Sequence, residues 1–217
     1  MLKTFKFRLY PSKLQEQQMQ SVLDSCRFVY NKMLEDLRKQ EKPDRTSLQN
    51  SIPNLKIEHP ELDLVYSKVL QYECYRLFSN LRSLARLKKN GKKVGRLRFK
   101  GKEWFKTFTY NQSGFALIST GRRYQKLHLS KVGDIPIRIH RIVNGKVKQI
   151  TLKKYPSDKW YASVSFEYEK ENRQALQPQE KTKAVGIDLG IMNFVYDSDG
   201  SHINHPKLMT VGIRRLK

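Results

Sequence analysis

The stretch Ala184 to Ile203 reads A-V-G-I-D-L-G-I-M-N-F-V-Y-D-S-D-G-S-H-I and opens on an apolar run that carries one carboxylate, Asp188. Gly190 and Asn193 mark a tight turn, Phe194 to Asp197 continues as a strand, Asp199-Gly200 turns, and Ser201 to Ile203 returns. A carboxylate inside a buried strand is costly unless something compensates it, and a divalent cation is the usual compensator. Two-metal nucleases gather several such carboxylates around ions about 4 Å apart, which activate water and stabilise the leaving oxygen. Asp188 is therefore a candidate metal ligand and catalytic carboxylate. The plainer alternative is an aspartate that hydrogen-bonds its own turn.

A second kind of chemistry is written between Arg82 and Lys106, which hold eleven Lys/Arg and a single acid, Glu103. Leu97, Phe99, Trp104, Phe105 and Phe108 are interleaved with the charge. Cations for phosphates together with rings for stacking make up the composition of a nucleic-acid groove. Packing of the rings on neighbouring helices is the other reading, and both can hold at once. In Arg96-Leu97-Arg98-Phe99-Lys100 charged and apolar residues alternate, so an extended backbone puts Arg96, Arg98 and Lys100 on one face. The whole chain agrees with this local signal: 43 Lys+Arg against 20 Asp+Glu give a net charge of +23 over 217 residues, which calls for a polyanionic partner.

The elements that must position these residues follow from periodicity. Phe5, Phe7 and Leu9 alternate with Thr4, Lys6 and Arg8, which predicts a half-buried strand over Leu2 to Tyr10 with a basic outer face, stopped by Pro11. Ser12 and Gln15 fit a capping box, and the stripe Met19, Val22, Leu23, Cys26, Val29, Tyr30, Met33, Leu34 and Leu37 predicts a long helix behind it. A short helix is expected over Ser47 to Lys56, and a second long one from Glu61 to Lys89. From Phe115 onward strands are expected at 115–119, 126–129, 135–140, 148–154 and 160–169, with Asn144-Gly145 the sharpest hairpin signal. Such spacing suggests a small barrel or curled sheet, which the N-terminal strand joins for want of another partner. The helices would then be an insertion, a lobe of their own over residues 12–90. Residues 171–183 read as a polar linker. Cys26 and Cys74 lie within apolar helical patterns and read as buried thiols; without a Cys-x-x-Cys no zinc ribbon can be built. No segment reaches the roughly 18 apolar residues of a membrane span and no signal peptide opens the chain, so a cytoplasmic protein is expected.

Five segments, in order, resemble the transposon-encoded OrfB/TnpB proteins: K-F-R-L-Y-P-S-K-L-Q at Lys6 to Gln15, C-R-F-V-Y-N-K at Cys26 to Lys32, G-R-L-R-F-K at Gly95 to Lys100, K-W-Y-A-S-V-S-F at Lys159 to Phe166, and V-G-I-D-L-G-I-M-N-F at Val185 to Phe194. The resemblance implies an RNA-guided DNA endonuclease related to the type V CRISPR effectors. It implies an α+β fold: a wedge-type β-barrel (1–10 and 115–170), an inserted helical recognition lobe with the basic segment (11–114), the linker, and the first strands of an incomplete RuvC/RNase H-like nuclease domain (184–217). Asp188 matches that family's first catalytic aspartate, while the later Glu and Asp and the zinc ribbon have no counterpart here. Mg²⁺ or Mn²⁺ would serve the complete nuclease, with guide RNA and double-stranded target DNA as partners and no membrane. In such systems base pairing reads most of the sequence and the protein reads a short flanking motif. By resemblance Lys68, Gln71, Tyr72 and Arg76 are the candidate readers of that motif, although Tyr72 also fits the core stripe. A non-enzymatic, guide-dependent regulator of the same lineage is the rival reading. A generic RNA-binding or ribosome-associated protein fits less well, because it gives no reason for D-L-G-I-M-N.

Overall fold

The computed structural model describes residues 1–121, 123–141, 145–168, 185–190 and 192–207. The chain divides into two compact units, Met1–Glu169 and Lys170–Lys217.

The first unit is built around strand β1, Leu2–Leu9. Its alternation works as expected: Phe7 and Leu9 are buried while Lys6 stays in solvent. Helix α1 follows over Lys13–Lys39. Its start is the capping box foreseen, with the Gln15 amide donating to Ser12 Oγ at 3.3 Å and the Ser12 amide donating to Gln15 Oε1 at 3.0 Å. Gln15 does a second job, because its Nε2 donates to the Asp134 carbonyl at 2.8 Å and ties the helix start to the sheet.

The expected single short helix is two, α2 (Arg45–Asn50) and α3 (Ile52–Glu58). Pro53 accounts for the break, since proline suits the first turn of a helix and not its interior. Asp44 opens α2 by accepting from the Thr46 and Ser47 amides at 2.9 and 3.1 Å. The second long helix, α4, runs over Ser67–Lys89 and not from Glu61; a 3-10 turn occupies Pro60–Leu64. Tyr66 sets that boundary. Its backbone is extended, and its ring stacks on Tyr110 at 5.9 Å while its hydroxyl meets Ser113 Oγ at 2.9 Å.

Six further strands complete an antiparallel, barrel-like sheet: β2 Thr107–Asn111, β3 Phe115–Ile118, β4 Gln125–Leu129, β5 Gly133–Arg138, β6 Lys146–Lys154 and β7 Trp160–Glu167. Their order is β2-β6-β7-β1-β5-β4-β3, so the N-terminal strand lies inside the sheet, paired with β7 from Leu2 to Arg8 and with β5 at Arg8 and Leu9. β2 falls ahead of Phe115, where strands were expected to begin. Phe108, Thr109 and Tyr110 are all buried there: α1 and α4 pack on this strand, and Thr109 is satisfied by Thr151 Oγ1 at 3.0 Å. The helical stretch 12–90, expected to stand apart, thus shares one apolar core with the sheet. Cys26 and Cys74 are unpaired thiols within that core. No helix among the described residues is long and apolar enough to cross a membrane. Asn144 of the hairpin signal and the 171–183 linker lie outside the described residues.

The second unit contains three short antiparallel strands in the order β10-β9-β8: β8 Ile187–Asp188, β9 Asn193–Asp197 and β10 His202–Asn204. Asp197 Oδ1 organises the turn after β9 by accepting from the Asp199 amide at 3.0 Å and the Ser201 amide at 2.8 Å.

Candidate nucleic-acid interface

Lys68, Gln71, Tyr72 and Arg76 fall at helical spacing on α4, which brings them along one side of the helix. Lys68 is exposed, and Gln71 and Tyr72 are half-buried. Burial pushes the Tyr72 hydroxyl up, Arg76 lowers it, and a hydrogen bond with Gln149 of β6 also favours its ionised form. Tyr72 is therefore partly a packing residue, as its place in the apolar stripe allows.

Arg76 is placed differently from the expectation. Its Nη1 and Nη2 both donate to the Thr107 carbonyl at 3.1 Å, Nη2 also meets Thr107 Oγ1 at 3.0 Å, and the guanidinium lies 5.0 Å from the centre of the Phe105 ring. Nη1 also lies 3.2 Å from Glu73 Oε2. These contacts turn Arg76 inward as a strut between α4 and β2 and leave Lys68, Gln71 and Tyr72 as the candidates on the outer side. The physical reason is Thr107, whose carbonyl and hydroxyl accept the guanidinium's hydrogen bonds, with the wholly buried Glu73 carboxyl beside Arg76 on the same helix. Desolvation pushes Glu73 up to about 8, with Arg76 pulling the other way.

The basic segment is held on α1. From Lys92 to Lys100 it has no regular secondary structure, and Asn31 clamps its end: Asn31 Nδ2 donates to the Lys100 carbonyl at 3.0 Å and the Lys100 amide donates to Asn31 Oδ1 at 2.8 Å. Arg38 donates to the Leu97 carbonyl at 2.9 Å and lies 4.5 Å from the Phe99 ring centre. The alternation holds in part. Arg96 and Arg98 are exposed and Leu97 packs against the core, but Phe99 is exposed beneath Arg38 and Lys100 is half-buried. Asn31 and Arg38 were not legible as interface residues, because they sit in an ordinary helical pattern; their partners lie 69 and 59 positions away. Trp104 follows the segment at 85% exposure, an unusual position for so large a ring.

Asp188 is exposed, not buried as its apolar neighbours suggested. β8 is only two residues long, and the apolar residues around Asp188, Ile187 and Leu189, are themselves in solvent. Asp188 pairs in register with Tyr196, while Asp197 sits opposite Ile187 with Oδ1 engaged in its own turn. No group of three His, Cys, Asp or Glu is assembled among the described residues. Asp188 could supply one ligand to a cation, but the described groups around it do not by themselves make a two-ion centre.

Residues 1–42 match the OrfB-type helix-turn-helix domain, and they fold as β1 and the single helix α1. Over 206 residues the chain is 27% identical to an Escherichia coli K12 protein named "Putative RNA-guided DNA endonuclease InsQ", covering 92% of this chain and 48% of that protein. The chain thus spans about half the length of the curated relative it matches. The N-terminal 42 residues match a helix-turn-helix domain model of the OrfB type, and most of the chain is similar to a protein whose name describes a putative RNA-guided DNA endonuclease.

Proposed function

We propose that this chain is the nucleic-acid-binding portion of a transposon-associated, RNA-guided DNA endonuclease. The sheet acts as the wedge barrel, the helices as the recognition lobe, and residues 184–217 open a RuvC-like domain in which Asp188 is the first carboxylate. Guide RNA and double-stranded target DNA are its partners. Lys68, Gln71 and Tyr72 read the flanking motif from α4, with Gln71 best suited to bases because an amide can pair bidentately with adenine. Arg96, Arg98 and Lys100 meet phosphates of the RNA or of the guide–target duplex. The observation that carries this reading is the basic segment itself: its backbone is clamped on α1 by Asn31 and Arg38, which leaves Arg96 and Arg98 projecting into solvent with no carboxylate partner among the described residues.

The test is binding of guide RNA to the wild type and to Arg96→Gln/Arg98→Gln/Lys100→Gln across a salt series. Each phosphate contact contributes roughly 0.7–0.9 to the slope of log affinity against log salt, so loss of two or three contacts should flatten it by about 1.5–2.5. An unchanged slope with the fold intact overturns the assignment. By itself the chain, with guide RNA and Mg²⁺, should bind target DNA without cutting it, because one carboxylate cannot hold two ions. Magnesium-dependent cleavage that disappears in Asp188→Ala would show otherwise.

A further inference from the structure

β1 and β5 are neighbours only at one end, where Arg8 stands opposite Arg138 and Leu9 opposite Ile137. Toward the start of β1 they part: among the described residues Leu2 to Phe7 pair with β7 alone. The chain after β5 instead lays His140 against Phe7 at 5.3 Å and Arg141 over Phe5 at 5.1 Å. This leaves an open cavity of about 660 Å³ on the sheet, lined by Thr4, Lys6, Arg8, Tyr10, Arg138 and Tyr161 together with the Phe5, His140 and Arg141 side chains.

The charge there is unusual. Like charges directly opposite on an antiparallel pair repel, yet Arg8 and Arg138 face each other and no carboxylate among the described residues lines the cavity. Arg8 Nε is buried with no acceptor. Two of the cations rest on rings and not on acids: Arg8 lies 5.0 Å from the Tyr10 ring centre, and Lys6 Nζ is 5.3 Å from each of Tyr155 and Tyr161, while Arg138 is exposed opposite Arg8. Tyr10 is fixed in turn by Tyr124, edge-on at 5.1 Å. Cations fixed in place without a counter-charge are preorganised for an anion supplied from outside. Ring faces beside them suit the bases of an unpaired strand, since a duplex keeps its bases stacked inside and offers only phosphates.

We propose that this cavity is a grip for a single strand of nucleic acid, in which Arg8 and Arg138 take a phosphate between them and Tyr10 and Tyr161 receive adjoining bases. The site lies on β1, β5 and β7, apart from α4 and the 96–100 segment, and stands whether or not those assignments do.

The experiment measures binding of fluorescein-labelled 12-nucleotide oligouridine, oligothymidine and a 12-base-pair DNA duplex to the full chain and to Arg8→Gln/Arg138→Gln, over a salt series. The double variant should bind both single strands at least tenfold more weakly, as expected for lost charge-assisted hydrogen bonds. Its salt slope should fall by roughly 1.4, for two contacts at about 0.7 each on a single strand. Duplex affinity should change less than about twofold. Removing the opposed charges should leave the melting temperature unchanged or raised; a lower one assigns the arginines to the fold and overturns the proposal. Tyr161→Leu should weaken single-strand binding about fivefold with the slope unchanged, because it removes stacking and no charge. Equal losses on duplex and single strands, loss on only one sugar type, or no loss at all would each overturn the grip.

Discussion

Glu73 gives the sharpest handle on how this fold is held. It is wholly buried on α4, neither carboxyl oxygen has a hydrogen-bond donor, and Arg76 Nη1 at 3.2 Å approaches off the hydrogen-bonding direction. Desolvation raises it from 4.5 to about 8, against the opposing pull of Arg76. The folded protein therefore keeps a proton that the unfolded chain has released over that interval. Glu73's contribution to stability is fully present below pH 4.5 and is lost progressively as pH rises to about 8. At 1.36 kcal/mol per pH unit the loss amounts to at most about 5 kcal/mol. Glu35, Asp134 and Glu167 are instead held low by their Lys and His partners, so their contributions change in acid, below this window. Urea unfolding at pH 5 and pH 8.5 should show the wild type losing several kcal/mol on the alkaline side, while Glu73→Gln, neutral throughout, loses much less. A wild type equally stable at both pH values, or a Gln variant with the same decline, would refute the reasoning.

Three further outcomes follow from other contacts. Ser12→Ala removes half of the capping box and should cost about 1 kcal/mol in urea unfolding, an ordinary value for a lost N-cap. Gly114→Ala should cost more than about 2 kcal/mol, because φ is +83° there and the new methyl would collide with the Tyr66 ring; combined with Tyr66→Ala, the two losses should add to less than their sum. Gln71→Ala should reduce discrimination between flanking motifs by roughly tenfold while lowering non-specific affinity much less, measured by competition between duplexes; equal loss on every sequence would move Gln71 to phosphate contact.

Much of the fold was legible because its signals are local. The alternation of Phe5, Phe7 and Leu9 with Lys6 and Arg8, and the Ser12–Gln15 pair, each needs only a few residues to be read. What stayed hidden depends on tertiary contact. β2 does alternate, Thr107-Phe108-Thr109-Tyr110-Asn111, but so short a run directly behind the basic segment was not legible as a strand; its pairing with β6 is a tertiary contact. The start of α4 is set by Tyr66 reaching Tyr110 and Ser113, residues 44 and 47 positions away. The candidate site divides in the same manner. Lys68, Gln71, Tyr72 and Arg76 were candidates by resemblance, and helical spacing puts them on one side of α4, yet Arg76 turns inward because Thr107 outcompetes solvent for its guanidinium. Asp188 was read as buried from apolar neighbours, but apolar neighbours bury a residue only where another layer covers them.

The distribution of acids divides the basic charge into two kinds. On α1, Lys32 and Lys39 both meet Glu35, and Arg27 meets Asp24, at 3.0 to 3.5 Å. These exposed pairs contribute little to stability, about 0–1 kcal/mol each, but they neutralise the helix surface locally. On the outer side of β1 and along residues 92–100 the neighbours are different. Arg8 rests on Tyr10, Lys6 on Tyr155 and Tyr161, and Arg38 on Phe99, without an acid in any of the three sets. A ring attracts a cation without cancelling its charge, so these side chains keep a fixed position and an undiminished field. A merely solvated basic surface has no use for such restraint, whereas a polyanion bound there meets cations whose ordering cost the fold has already met.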